Sequence, residues 1–415
     1  MLILTRENLP AYLRAQDPSF VEEGPLEIRI IGEQEEDSAG LINDIFQVSS
    51  PKRSIIVKQG QENIRSARES SYRLPPSRNQ LEAASLRLRR AIAPQYVPEV
   101  YWVDRENNVF AMEDVSYLNP CRSGLARGQI FPELGRNCGA FMASIAFFTS
   151  EFYLSREKFR QLAQTFTNNG MRRVMEEWSM LHRSPFPPAP ETMHLRAGLE
   201  EPAVQTETYL LRHRYMSHGE ALIHSDLHPG NIFIDGDRMK VIDMEYTFAG
   251  PCAYDLGYFL GNTLSVYAAS FFHPLSGPDE EERFRRYLLD TIEQLFRSYR
   301  QTFGALWDGY AKAEYRQQQQ GFRERFLDGL LTDAVGYAAL ISLTLAIHGS
   351  DVAEFKIISD PVARHHAMQL YYATAKSLLL TRNSLTSVAE LLSRVQTCAK
   401  LYLTRQLGIR PPILR

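Results

Sequence analysis

Most of the residues able to do chemistry crowd into one stretch, ALIHSDLHPGNIFIDGDRMKVIDMEYTFAGP, running from Ala221 to Pro251. His224, Asp226 and His228 follow the apolar entry ALI, and Asn231 stands where the run IFID begins. A DGDR turn leads into MKVID, which ends on Asp243, with Glu245 just beyond it. Two short strands joined by that turn would form a hairpin with Asp226, Asn231 and Asp243 gathered at one end. Phosphoryl transfer asks for these parts: a carboxylate to orient an acceptor hydroxyl and take its proton, and an amide oxygen with carboxylates to hold Mg2+ on the phosphates. Hard oxygen ligands suit that ion. Asp226 is therefore the expected base, and Asn231, Asp243 and Glu245 are the expected metal ligands. Asp235 and Asp237 read as turn residues, and His224 as a buttress of the loop backbone. His228 is a candidate substrate contact, and Asp255 of AYDLGYF a tie between the loop and the helical part of the chain.

Positioning such a set takes a strand that carries a cation and a helix that holds it. Lys58 ends the apolar strand RSIIVK, where its amine can reach nucleotide phosphates. Glu82 lies on the helix expected over 77–92, with Ser77 as its N-cap, and is the suitable partner for that lysine. EEDSAGLINDIF, which contains Gly40 and Asn43, should turn over the phosphates. In FAMEDVS, Glu113 and Asp114 fall where a segment joining two lobes would offer backbone groups to adenine.

The rest of the chain sorts into two lobes. LEIRII, LINDIFQV, RSIIVK, EVYWV and NVFAMED are short β-branched or aromatic runs, so residues 1–115 read as a small antiparallel β-rich lobe. Residues 116–415 read as a large helical lobe, with helices expected over 128–150, 155–165, 171–183, 203–219, 281–304, 321–348, 361–381 and 386–407. The class is α+β, and a cleft between lobes is a common ligand site. With 44% hydrophobic residues and a formal net charge of -3, nothing calls for nucleic acid or an acidic membrane as partner. Cys121, Cys138, Cys252 and Cys398 are scattered without a C-x-x-C pair, which points to thiols in a reducing compartment. The opening MLILTRENLPAYLRAQ is too polar for a signal peptide, and no apolar run approaches the ~20 residues needed to cross a bilayer, so a cytoplasmic protein is expected.

On these residues the chain resembles the methylthioribose kinase family, in the aminoglycoside-phosphotransferase and choline-kinase branch of the protein-kinase-like fold. IIVKQ (55–59), MEDVS (112–116), FFTSEFYL (147–154) and EALIHSDLHPGNIF (220–233) carry the resemblance, together with IDMEYTFAGPCAYDLG (242–257), DAVGY (333–337) and SLTSVAELLSRV (384–395). The resemblance matches the family's Asp-x-Glu to Asp243 and Glu245, its catalytic Asp to Asp226 and its nucleotide lysine to Lys58. It implies transfer of the γ-phosphoryl group of ATP, with Mg2+, to a small-molecule hydroxyl, and a homodimer.

The departures fall on the acceptor side. The family has two adjacent arginines that grip sugar hydroxyls; counted from DAVGY, those positions here are Thr344 and Leu345, which cannot make a guanidinium's forked hydrogen bonds. The family's loop Trp beside the alkylthio group corresponds to Tyr72 in RESSYRLPP. Its Asp-Gly-Asn phosphate loop is reduced to Ser38-Ala39-Gly40-Leu41, its Gly before the catalytic Asp is Ser225, and Asn231 stands where the family often has Ser. Arg364 and Arg122 are the nearby arginines that could substitute. The expectation is a small-molecule kinase with a changed acceptor; the alternatives are a genuine methylthioribose kinase and a nucleotide-binding protein without catalysis. A protein kinase is disfavoured, because Asp-Phe-Gly and Ala-Pro-Glu segments are lacking.

Overall fold

A computed structural model describes residues 2–32, 42–63, 73–183, 190–318, 321–348 and 352–408. Strands β1 (Glu27–Ile30), β2 (Asp44–Ser49), β3 (Ser54–Gln59), β4 (Val100–Asp104) and β5 (Val109–Glu113) form one antiparallel sheet in the order β1-β2-β3-β5-β4. Alternation places Phe46, Val48, Ile55, Val57, Val109 and Ala111 on one buried face, and Leu9, Leu13 and Phe20 cover it. Leu9 and Leu13 belong to a helix, Leu9–Gln16, that the sequence reading left unassigned. Helix Arg78–Ile92 runs beside β4 and β5 and buries Glu82, Ala83 and Leu86. Ser77 does not cap it as expected: its backbone is already helical (φ -61°, ψ -11°) and its side chain makes no capping bond.

Beyond Glu113 the chain is mostly helical, with two small antiparallel ribbons that frame the loop of interest. β7 (Ala221–Ile223) pairs with β10 (Phe248–Gly250). β8 (Ile232–Asp235) pairs with β9 (Arg238–Val241) from Ile232↔Val241 to Asp235↔Arg238, and β6 (Asn119–Pro120) edges β8. The expected hairpin is therefore present, and Gly236 takes the left-handed conformation (φ 59°) in its two-residue loop.

No periodicity in the sequence marks helix Ala253–Ala269. Nearly every one of its residues is buried, so it lacks the polar face by which an amphipathic helix is recognised. It packs against helix Phe322–His348 through Gly257, where a Cβ would stand 2.5 Å from the carbonyl oxygen of Ala334. Against the sequence expectation, Phe322–His348 is long and apolar enough, by length and composition, to cross a membrane; 72% of its apolar window is buried inside the fold, as a core helix would be. At the C-terminal helix Val388–Leu407, Ser387 accepts from the amide of Glu390 while the Glu390 carboxylate accepts from the amide of Thr386, a reciprocal cap. All four cysteines are free thiols.

Candidate active site

Helix Ala253–Ala269 sets the loop after β7. The Asp255 carboxylate accepts from the amides of His224 (2.7 Å) and Ser225 (2.8 Å), which is the tie expected of it. His224 donates from Nε2 to the Ile242 carbonyl (2.9 Å) and accepts the Asp226 amide at Nδ1 (3.3 Å), bracing the loop against the strand that ends on Asp243. Burial, with Arg89 nearby, pushes His224 down to about 4, so its ring works neutral. Ser225 sits at φ 69°, a left-handed conformation that costs a non-glycine residue on the order of 1 kcal/mol or more. Its hydroxyl meets the buried Tyr215 hydroxyl at 2.8 Å, a contact that glycine could not make.

Asp226 emerges from this brace. Asn231 donates through Nδ2 to the Asp226 carbonyl (2.9 Å) and carboxylate (3.2 Å), and Tyr258 hydrogen-bonds the same carboxylate. Burial, with the charges of Asp243 and Glu245, pushes the Asp226 carboxyl up to about 8 against those stabilising bonds. His228 uses Nδ1 to accept the Gly230 amide (2.9 Å), which leaves its Nε2 3.7 Å from Asp226 Oδ2 with its ring stacked near Tyr258. Burial and the Arg122 charge hold His228 well below its ordinary pKa.

On the other side of the loop, Lys58 Nζ lies 2.8 Å from the Glu82 carboxylate and is also paired with Asp243. Burial works against the ammonium, but Asp243, Glu82 and Glu245 outweigh it and raise its pKa. Asp243 holds its position from a left-handed backbone (φ 62°). Asn231 and Asp243 fit a hard cation: Asn231 uses its Nδ2 on Asp226, leaving Oδ1 as a ligand, and the Asp243 side chain is 32% exposed.

Glu245 fits that role less well than expected. It is buried, and its Oε2 accepts from Asn43 Nδ2 (2.9 Å) and Arg78 Nε (3.0 Å). Asn43, expected at the phosphates, is engaged at both ends, since Arg78 Nη2 donates to its Oδ1 (2.6 Å). Arg78, fully buried, was not singled out in the sequence; it is one of four arginines on its helix, and no spacing distinguishes it. Asn168 completes this wall by donating to the carbonyls of Glu245 and Thr247.

The remaining expected residues divide. Gly40 and Tyr72 lie outside the described residues. The Glu113 amide donates to the Glu99 carbonyl (2.8 Å) and its carboxylate pairs with Arg90 and Lys240, so that amide is not free for a base. Asp114 accepts from Gln47, Ser54 and the Ser116 amide; these bonds outweigh burial and lower its pKa, so the side chain serves the sheet edge. Arg364 turns its guanidinium onto the Ile358 carbonyl (3.0 and 2.8 Å) rather than toward Asp226. Arg122 binds Asn262 and lies 3.8 Å from Glu354. Thr344 is held by His182 Nδ1 (2.7 Å) and sits near the Ser179 and Leu340 carbonyls. Tyr258 also escaped the sequence reading, because it lies on the helix that was missed.

Similarity to known proteins agrees with this geometry. The model of the phosphotransferase enzyme family matches residues 33–301, and the chain belongs to that family. Within it, the chain is 31% identical over 384 residues to a methylthioribose kinase of Geobacillus sp. (strain WCH70), spanning 90% of this chain and 91% of that protein. It is 31% identical over 364 residues to the methylthioribose kinase of Geobacillus thermodenitrificans (strain NG80-2), spanning 85% and 87%. A choline kinase from Cryptosporidium parvum Iowa II shares the fold, with TM-score 0.50 and 13% identity over 93% of this chain and 99% of that one. The chain has the protein-kinase-like α+β fold and is a small-molecule kinase.

Proposed function

We propose that this kinase transfers the γ-phosphoryl group of ATP, with Mg2+, to a hydroxyl of a sugar-like or metabolite acceptor other than methylthioribose. The observation that carries the reading is the convergence of Lys58, Asp243, Asn231 and Asp226 at one end of the β8–β9 hairpin. Lys58, clamped by Glu82, binds α- and β-phosphate oxygens. Asn231 and Asp243 would hold Mg2+, which would supply positive charge against the phosphate oxygens. Asp226 accepts the proton of the attacking hydroxyl. Tyr258 and Asn231 fix the carboxylate toward the acceptor.

The changed acceptor rests on Thr344. Its hydroxyl is tied into the protein, and neither it nor Leu345 can replace two guanidinium groups worth on the order of 1.5–3 kcal/mol each as charge-assisted donors. A second reading, a genuine methylthioribose kinase, is favoured by identity spanning nearly the whole of both chains. Substrate-dependent ADP release with Mg-ATP separates the two, with methylthioribose compared against a panel of sugars, nucleosides and amino sugars. A panel member used at least tenfold better than methylthioribose is expected; methylthioribose as the best substrate would establish the second reading. Tight Mg-ATP binding without any acceptor-dependent release would instead mean a nucleotide-binding protein without catalysis.

A further inference from the structure

The chain enters β7 past a cavity of about 220 Å³, and none of Lys58, Asp226, Asn231 and Asp243 lines it. Its apolar lining comes from three elements. Phe166 closes helix Arg156–Thr165, Met216 lies in the last turn of helix Pro202–Ser217, and Phe248 opens β10. Arg172, on helix Asn169–Met175, supplies the one charge in the lining, and no Asp or Glu of the described residues lines the cavity.

The guanidinium of Arg172 is held in place without being neutralised. Its Nη2 donates to the carbonyls of Tyr215 (3.2 Å) and Met216, and its central carbon stands 4.8 Å from the centre of the Phe248 ring. Glu176, one turn further along the chain, pairs with Arg212 instead. Among the described residues no carboxylate pairs with Arg172, and neither Nε nor Nη1 makes a hydrogen bond. Nε is sealed inside the protein, so Nη1, with its two hydrogens, is the donor left open. Thr167 and Asn169 are exposed parts of the same lining, and their side chains make no hydrogen bond among the described residues. A half-buried, preorganised cation beside aromatic and thioether walls is complementary to an anion with an apolar body.

We propose that this cavity is a second small-molecule site, apart from the phosphoryl-transfer centre, and that it takes a small carboxylate with an apolar body. The carboxylate meets Arg172 Nη1, and the body lies against Phe166, Met216 and Phe248. A carboxylate brings one charge to a lining with one cation, whereas a phosphate monoester brings close to two. The volume falls below the roughly 300–1,000 Å³ of sites for drug-sized ligands, so the occupant is of metabolite size. The proposal goes beyond the kinase reading and does not depend on it.

The test is isothermal titration of the full chain with phenylacetate, indole-3-acetate and hexanoate, each compared with its uncharged amide. At least one acid should saturate the protein with a Kd at or below about 1 mM, within reach of so small a ligand. Its amide should bind at least about tenfold more weakly, through loss of the charge-assisted bond. Ala163→Phe fills the cavity from a partly exposed position of helix Arg156–Thr165 and leaves Arg172 in place. That variant and Arg172→Gln should each weaken the acid about tenfold or more, and Ala163→Phe alone decides if Arg172→Gln does not fold. Saturating Mg-ADP should leave the acid's Kd within about twofold. No saturation by any of the three acids up to about 10 mM, or equal affinity for acid and amide, overturns the proposal. So does an acid displaced by Mg-ADP, or one whose affinity is unchanged in Ala163→Phe; Arg172 is then only a strut between two helices.

Discussion

The two flanks of the loop after β7 are built on different physics. On the flank proposed for the nucleotide nearly every group is charged and paired: Lys58 with Glu82 and Asp243, and Arg78 with Glu245. On the flank proposed for the acceptor the groups are neutral: Tyr258, Thr344 and a His182 that burial keeps uncharged. On the proposed function the difference follows from what each flank would face. A triphosphate and its cation impose charges that must be matched, and a buried ion pair that loses one partner is strongly destabilised. A sugar or metabolite imposes only a pattern of donors and acceptors, which neutral side chains can rewrite at low cost.

Substitutions sharpen this contrast, and the largest effect belongs where the flanks meet. Asp226→Asn should lower kcat by roughly 10³-fold or more, within the range for loss of a positioned base, while Mg-ATP still binds; steady-state kinetics with a nucleotide-binding assay checks both. Next comes the charged wall. Arg78→Met strands the buried Glu245 carboxylate and should destabilise the fold by about 3–5 kcal/mol, read by denaturant unfolding. A loss under about 1 kcal/mol would break the claim that this flank depends on paired charge. Lys58→Met should then cost about 100-fold in kcat/KM for ATP with little change in the acceptor KM.

Smaller effects come from the loop itself. Ser225→Ala keeps the left-handed backbone but loses the Tyr215 contact, so it should destabilise by about 1 kcal/mol. Ser225→Gly relieves the backbone while losing the same contact, and should unfold at a higher temperature than Ser225→Ala. The last effect is one of pH. His182 lies near 3 when folded, against an ordinary value of 6.5, with the His348 ring and the Arg196 guanidinium facing it and Thr344 as hydrogen-bond partner. Below 6.5 the unfolded chain binds a proton that the folded chain refuses. The stability linked to His182 is therefore complete above pH 6.5 and drains as the pH falls toward 3. Between pH 7 and pH 5 the Tm of the wild-type chain should fall further than that of His182→Gln.

The sequence was most informative where chemistry imposes spacing. The β8–β9 hairpin, Asp226 with Asn231, and Lys58 with Glu82 were all legible, because fixed offsets on short strands and one amphipathic helix leave few arrangements. Reading failed where burial erases pattern. Helix Ala253–Ala269 is apolar on every face, so neither it nor Tyr258 could be found by periodicity. Arg78 looked like any helix arginine until the fold enclosed it. Asn43 and Glu113 lie in the elements anticipated for them, but their polar groups are taken by Arg78, Glu245 and Glu99, partners that only tertiary structure supplies.

The central claim is that phosphoryl-transfer chemistry is joined to a changed acceptor site. Its most direct test is mass-spectrometric detection of phosphorylated product from Mg-ATP with an equimolar mixture of methylthioribose and donor-bearing sugars, nucleosides and amino sugars, using Asp226→Asn as the blank. The account predicts a product that requires Asp226 and comes from a compound other than methylthioribose. Phosphomethylthioribose as the dominant product would contradict it, by showing that the neutral flank around Thr344 and His182 still serves the acceptor of the Geobacillus relatives.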